Sequence, residues 1–176
     1  VQLETGISAV LVTHDQVEAM SMTDRIAIMK DGKILQVAPP AEMYQYPENE
    51  FIASFLGNPP IAFLDGIVSD DNVVIQSADI KLPLPENIEV PTSGSRIGLG
   101  IRPEFYQPHH PHKIPGTVSF VEIQGRENLY DINLKDGSLL RSIQPADVSP
   151  LSPGTKVEWG VNPEQLLFFD SLGKRL

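Results

Sequence analysis

The sequence predicts a mixed fold, in which a short α/β segment precedes a longer β-rich region. Three observations carry this prediction. A nearly continuous apolar run at residues 7–13 leads directly into a capped helix. A cluster of turn residues at 57–60 (GNPP) then interrupts the chain. Beyond it, short apolar runs alternate with turn residues at the spacing expected of a small sandwich or barrel.

The α/β segment opens with the apolar run. Residues 7–13 lack polar alternation, which is typical of a strand buried on both faces of a parallel sheet. Asp15 suits a helix N-cap, and Glu18 follows it three positions later. Together they predict a helix over residues 16–23.

Four further elements are predicted before the boundary at 57–60. Asp31-Gly32 between two apolar runs is a strong hairpin signal. Proline suits the first turn of a helix and also ends one. The elements are strands at 25–30 and 33–38, a helix from Pro40 that Pro47 ends, and a helix at 49–56.

The β-rich region contains an internal repeat. Residues 92–104 and 152–164 align without a gap, and a shorter match relates 66–69 to 116–119. The repeat predicts two related β-units, each ending in a strand followed by a Pro-Glu turn. The predicted strands of the whole region are 64–68, 73–76, 96–101, 116–123, 129–134, 139–142, 156–161 and 165–169.

Composition narrows the functional classes. The formal net charge of -10 works against binding a nucleic-acid backbone, which requires a basic face. The absence of cysteine removes disulfides and thiolate metal sites. No apolar run approaches the roughly 18 residues that span a bilayer. The first residues resemble neither a signal peptide nor a natural start, so we expect a cut edge there.

His14 is the candidate functional residue. A buried strand that passes into a capped helix places it at the carboxyl edge of a sheet, where open α/β folds bind ligands. A neutral imidazole donates one hydrogen bond and accepts another, which suits a phosphate oxygen or a nucleophilic water. The alternative is a strand-end histidine satisfied by the backbone.

Several segments resemble the ATPases of ABC transporters. Residues 12–20 (VTHDQVEAM) resemble the H-loop of that family, and residues 24–34 match its following hairpin. Residues 40–44 and 51–57 continue the match. Residues 100–104 (GIRPE) resemble the C-terminal regulatory domain of the carbohydrate-importer subfamily, whose members energise uptake of maltose, other sugars or glycerol-3-phosphate.

The resemblance implies a domain organisation and a role for one residue. Residues 1–57 would be the C-terminal end of a P-loop nucleotide-binding domain, and 61–176 a regulatory or dimerisation domain of two OB-like units. His14 would contact the ATP γ-phosphate and the attacking water, with Asp15 and Gln16 positioning it.

The resemblance also implies a cellular setting. The intact parent would use ATP and Mg²⁺ and form a homodimer of ATPase subunits. It would lie in the cytoplasm on the inner face of the cell membrane, bound to transmembrane permease subunits, with a possible regulatory protein on the β domain. The solute stays open, because the family's binding proteins and permeases select it.

The sequence lacks three motifs that an ATPase of this family requires. No G-x-x-x-x-G-K-[ST] string occurs, and Gly32-Lys33 and Gly173-Lys174 lack its other members. An LSGGQ-like signature and an Asp-Glu pair for Mg²⁺ are also absent. We therefore expect this chain alone to be inactive and to need no cofactor. The rival hypothesis is a free-standing OB-like module that binds a small anion or an oligosaccharide, which requires residues 7–13 to pair within the chain.

Other polar clusters have structural interpretations. His109, His110 and His112 lie in a proline-broken loop that does not preorganise a metal site, so no metal is predicted. Asp70 and Asp71 suit a hairpin turn.

Overall fold

The chain divides into two compact units, Val1–Pro47 and Glu48–Leu176. The computed structural model describes residues 6–146 and 149–176, without the side chain of Ser77. The division falls before the turn cluster at 57–60 because the helix that follows Pro47 packs on the β-rich unit. Ala53 of that helix is buried in one cluster with Leu167 and Phe169. No helix in the described part of the chain is long and apolar enough to cross a membrane.

The first unit contains the predicted helices and hairpin. The hairpin turn is made by Asp31 and Gly32, which both have positive φ angles. Asp15 caps the first helix, as predicted. The elements are α1 (Gln16–Met22), the antiparallel strands β1 (Ile26–Lys30) and β2 (Lys33–Ala38), and α2 (Pro40–Gln45).

The predicted strand at residues 7–13 is wrong. The structure gives these residues no strand. Val10 and Val12 are each 93% exposed, and Ile7 is also exposed. A parallel strand buried on both faces requires a neighbour on each side. The described part of the chain pairs nothing with this segment, so the apolar run stays open to solvent.

The second unit begins with helix α3 (Glu50–Phe55), where Asn49 accepts a hydrogen bond from the backbone nitrogen of Ile52 at 3.0 Å. Strands then follow with few helical turns. The strands are β3 (Ala62–Ser69), β4 (Asn72–Ile75), β5 (Ile80–Pro83), β6 (Arg96–Ile101), β7 (His112–Ile123), β8 (Glu127–Asn133), β9 (Leu139–Pro145), β10 (Lys156–Val161) and β11 (Leu167–Phe169).

The eight strands predicted for this region all form. β5 was not predicted, because its four residues contain a lysine and a proline and so lack a strand signal. The β-rich character of the prediction is confirmed.

The strands form two antiparallel sheets. One has the order β11-β6-β3-β4-β5, and the other has the order β10-β7-β8-β9. Alternate residues of both sheets face one shared core, which includes Leu99, Ile114, Ile132 and Leu140, each with essentially no exposed surface. Trp159 is buried there, edge-to-face with Tyr106 and Tyr130.

The internal repeat of the sequence is a repeat of strand pairing. In the first unit of the repeat, β3 pairs with β6, so that Gly66 opposes Ile97. In the second, β7 pairs with β10, so that Gly116 opposes Val157. The two pairs of matching sequence segments therefore have the same strand register in the two β-units.

The turns that lead into β6 and β10 are also equivalent. Gly94 and Gly154 both have a φ angle of 90°. The backbone nitrogen of Gly94 donates to the carbonyl oxygen of Val68 at 2.8 Å, and that of Gly154 donates to Val118 at 2.8 Å. A 3-10 turn follows each strand, at Pro103–Phe105 and Pro163–Gln165. The prediction of two related β-units that end in Pro-Glu turns is confirmed.

Candidate functional site

His14 lies on a bend directly before α1, and its side chain is exposed. The backbone on either side of it is held by local hydrogen bonds. The Asp15 carboxylate accepts from the backbone nitrogens of Val17 at 2.8 Å and Glu18 at 3.1 Å. The Thr13 hydroxyl oxygen accepts from the backbone nitrogen of Asp15 at 3.0 Å. This cap turns the chain sharply and presents the imidazole to solvent.

The His14 imidazole has no hydrogen bond or ion pair with any other described residue. It can therefore donate to or accept from an incoming group. The first residues of α1 also present their backbone N–H groups on this side, but Asp15 already occupies two of them. The site consists of one exposed histidine on a bend, and no other described side chain is hydrogen-bonded to it.

The surface around the first unit is unusually apolar. The hairpin β1–β2 has one buried face, which carries Ile26 and Ile28. Its other face exposes Met29 and Ile34, each 58% exposed, and also Val37. Val17 and Met22 of α1 are exposed as well, as is the apolar segment at residues 7–12. A sheet face of this composition normally packs against another layer.

The structure does not bring the histidine-rich loop into a metal site. The rings of His109 and His110 lie 4.5 Å apart, centroid to centroid. Partial burial, His109 and Lys113 lower the pKa of His110. Among the described residues, no group of three His, Cys, Asp or Glu side chains is arranged to hold a metal ion.

The structure brings together three carboxylates, Glu50, Asp65 and Asp170, that no sequence pattern predicted. Partial burial raises the pKa of Glu50, and the neighbouring charges of Asp65 and Asp170 raise it further. Glu50 lies over Gly98, where a Cβ atom would collide with its carboxylate. The three acids come from α3, β3 and the segment after β11, so no sequence spacing relates them.

Two family models match the second unit. The MalK OB fold domain matches residues 57–105, and the TOBE domain matches residues 99–169. Three curated relatives match nearly the whole chain. The maltose/maltodextrin import ATP-binding protein MalK of Vibrio cholerae is 34% identical over 98% of this chain and 48% of its own length. The chain belongs to this family of import ATP-binding proteins.

Two other family members extend the range of relatives. The sn-glycerol-3-phosphate import ATP-binding protein UgpC of Vibrio vulnificus is 36% identical over 99% of this chain and 47% of its own. The trehalose/maltose import ATP-binding protein MalK of Thermococcus litoralis is 35% identical over 96% of this chain and 48% of its own. The chain thus spans about half the length of the curated family members it matches.

A solved structure shares part of the fold of this chain. The cytoplasmic molybdate-binding protein ModG, with molybdate bound, covers 60% of this chain and 93% of its own at a TM-score of 0.50. At 11% sequence identity the likeness concerns the fold alone.

Proposed function

We propose that this chain is the C-terminal part of the ATP-binding subunit of an ABC importer, which energises uptake of a sugar or of glycerol-3-phosphate. The observation that carries the proposal is the continuous match of 96–99% of the chain to import ATP-binding proteins for maltose, trehalose and glycerol-3-phosphate. The solute is not selected by any residue described above. Residues 61–176 would regulate the subunit or hold its dimer together.

Residues 1–57 would close a P-loop nucleotide-binding domain whose other parts lie outside this chain. Two features of the first unit support this. Val10 and Val12 are open to solvent where a sheet strand was expected, and the hairpin exposes Met29 and Val37. Both surfaces suit contact with the remaining layers of an α/β domain. The rival hypothesis required residues 7–13 to pair within the chain, and they pair with none of the strands in its described part.

His14 would act as the γ-phosphate and water sensor of the parent. Its exposed imidazole, held on a capped bend and without a partner among the described residues, can donate to a phosphate oxygen or accept from a water. ATP and Mg²⁺ themselves do not fit the residues of this chain, because Gly32 lies in the hairpin turn, Lys33 begins β2 and the sequence has no G-x-x-x-x-G-K-[ST] string. The groups that bind them would come from elsewhere in the parent.

The parent would also assemble with other subunits. The parent would pair with a second ATPase subunit and dock on transmembrane permease subunits at the inner face of the cell membrane. A regulatory protein would contact the β-rich unit. The acidic net charge of -10 accords with protein partners and disfavours nucleic acid.

Replacing His14 with Ala in the intact parent tests the proposal. We expect ATP hydrolysis to fall by about 100-fold or more, with ATP binding nearly unchanged, because the lost contact acts in the transition state. Steady-state phosphate release and equilibrium nucleotide titration measure the two quantities. His109→Ala, another exposed histidine far along the chain, is the matched control and should hydrolyse ATP normally. Wild-type turnover of the His14 variant would remove this residue from the mechanism.

A further inference from the structure

The repeat places two equivalent junctions between its two β-units, each between a Pro-Glu turn of one β-unit and a strand of the other. We call these junctions seams, and side chains close only the first of them. The first Pro-Glu turn, Pro103–Phe105, contacts β9 of the second unit. The second turn, Pro163–Gln165, borders the end of β5 in the first β-unit of the repeat, where a cleft of about 480 Å³ remains. The difference between the seams lies in the side chains that cross them.

The first seam is filled by a buried polar network. The Ser142 hydroxyl donates to the carbonyl oxygen of Tyr106. Gln144 Nε2 donates to Gln107 Oε1 at 2.8 Å, and Gln107 Nε2 donates to the carbonyl oxygen of Ile143 at 2.9 Å. These bonds tie the turn of one β-unit to the strand of the other.

The strand register identifies the counterparts in the second seam. Val73 pairs with Leu82 as Ile132 pairs with Leu140, so Leu84, two residues after Leu82, corresponds to Ser142. Glu86 has the same sequence offset from Leu82 as Gln144 has from Leu140, but it lies in the turn after β5. The residue that corresponds to Gln107 is Leu167, which is buried in a separate apolar cluster. The second seam therefore lacks the amide pair that closes the first, and Glu86 lines an opening instead.

The walls of this cleft combine polar and apolar groups. Glu86 and Asn87 line it from the first β-unit of the repeat, and His112, Asn162 and Glu164 line it from the second β-unit. The side chains of Glu86, Asn87 and His112 make no hydrogen bond or ion pair with another described residue. Asn162 Oδ1 accepts from the backbone nitrogen of Glu164 at 3.2 Å, which leaves its NH₂ group free to donate. The apolar part of the wall is Pro83, Leu84 and Pro163.

The chemistry of the wall selects a class of ligand. Its carboxylates accept hydrogen bonds, whereas its carboxamide NH₂ groups and the imidazole also donate them. A hydroxyl group does both, so several hydroxyls on one small molecule match this set. Among the described residues that line the cleft there is no Lys or Arg, whereas Glu86 and Glu164 are both present, so the local field repels phosphates and other anions. An amine would donate hydrogen bonds to the carboxylates but would offer no acceptor to the carboxamide NH₂ groups.

We propose that this open seam is a binding site for a small uncharged polyol of the size of a mono- or disaccharide. The volume lies within the range of about 300–1,000 Å³ that is usual for small-molecule sites. The site belongs to the β-rich unit alone. It needs no nucleotide and stands whether or not the parent is an importer.

Titration of the 176-residue chain with maltose, followed by amide NMR shifts, tests the proposal. We expect shifts at the amides of Leu84, Glu86, Asn87, His112, Asn162 and Glu164, which line the cleft. Asn87→Ala and Glu164→Ala should each weaken binding about tenfold, the effect of losing one hydrogen bond with a charged or well-oriented group. Glu158→Ala, an exposed carboxylate on β10 outside the cleft, is the matched control and should bind as the wild type does.

Parallel titrations with glycerol 3-phosphate and with 1,4-diaminobutane separate the ligand classes. Neither should shift the cleft residues at the concentrations at which maltose does. Absence of maltose shifts at tens of millimolar overturns the proposal. So does stronger binding of the anion or the diamine, or an equal loss of maltose binding in the Glu158 control. Thermal unfolding of each variant verifies that it is folded, so that a lost shift reports on binding.

Discussion

Removing one hydroxyl from the centre of the β-rich unit should have a large effect on stability. Tyr106 is fully buried, and its hydroxyl donates to the carbonyl oxygen of Ile114 at 2.6 Å. Tyr106→Phe retains the ring and its edge-to-face contact with Trp159. It deletes a hydrogen bond and leaves a buried carbonyl oxygen without that donor. The combined cost is about 2 kcal/mol in the free energy of unfolding.

That cost corresponds to a roughly 30-fold change in the folding equilibrium. For a unit of this size it lowers the melting temperature by about 7 °C. Urea denaturation followed by the fluorescence of Trp159, the sole tryptophan, measures it directly. Tyr130→Phe is the matched control, because that ring also contacts Trp159 edge-to-face. Its hydroxyl accepts only a longer bond, 3.2 Å, from the half-buried backbone nitrogen of Leu151, which water can replace.

The buried Tyr106 hydroxyl also makes the stability of the protein depend on pH in the alkaline range. Burial raises the pKa of the Tyr106 hydroxyl above its ordinary value of 10. The unfolded chain therefore releases this proton first, and the stability that the folded state derives from it is lost as pH rises above 10. The gap between wild type and Tyr106→Phe should narrow there. A loss below about 0.5 kcal/mol at neutral pH, or one equal to that of Tyr130→Phe, would refute the role of the buried hydrogen bond.

Two further stability predictions follow from close contacts and from charge. Gly160→Ala should lower the free energy of unfolding by about 3 kcal/mol and Gly100→Ala by about 1 kcal/mol, measured by urea denaturation. The new Cβ meets backbone carbonyls at position 160 but the movable end of the Ile61 side chain at position 100. Equal losses of stability in the two variants would contradict this explanation. Glu50→Gln should stabilise the protein at pH 7 and leave it unchanged below pH 4, because the raised pKa of Glu50 means that stability is lost as pH rises through its titration. Glu89→Gln, on an exposed loop, is the control for charge removal, and a pH-independent gain at position 50 would exclude the carboxylate cluster as its cause.

The outcome at residues 7–13 shows how local signals depend on absent neighbours. The apolar run was interpreted as a buried parallel strand, and it is exposed without strand pairing. By contrast, the cap at Asp15 and the turn at Asp31-Gly32 formed as predicted. Their stabilising bonds lie within four residues of sequence, whereas a parallel strand is stabilised only by strands that are distant in the chain.

Sequence alone determined the β-rich architecture, its repeat and the identity of His14 as the candidate sensor. The repeat is visible in the sequence because Gly94 and Gly154 occupy equivalent positions with a positive φ angle, which favours glycine in each β-unit. Only the tertiary structure revealed the carboxylates around Glu50 and the open seam at Glu86. These sites join side chains from segments that are far apart in sequence. Whether a seam closes depends on which side chains meet across it, and that is decided by strand register and packing, which no local pattern encodes.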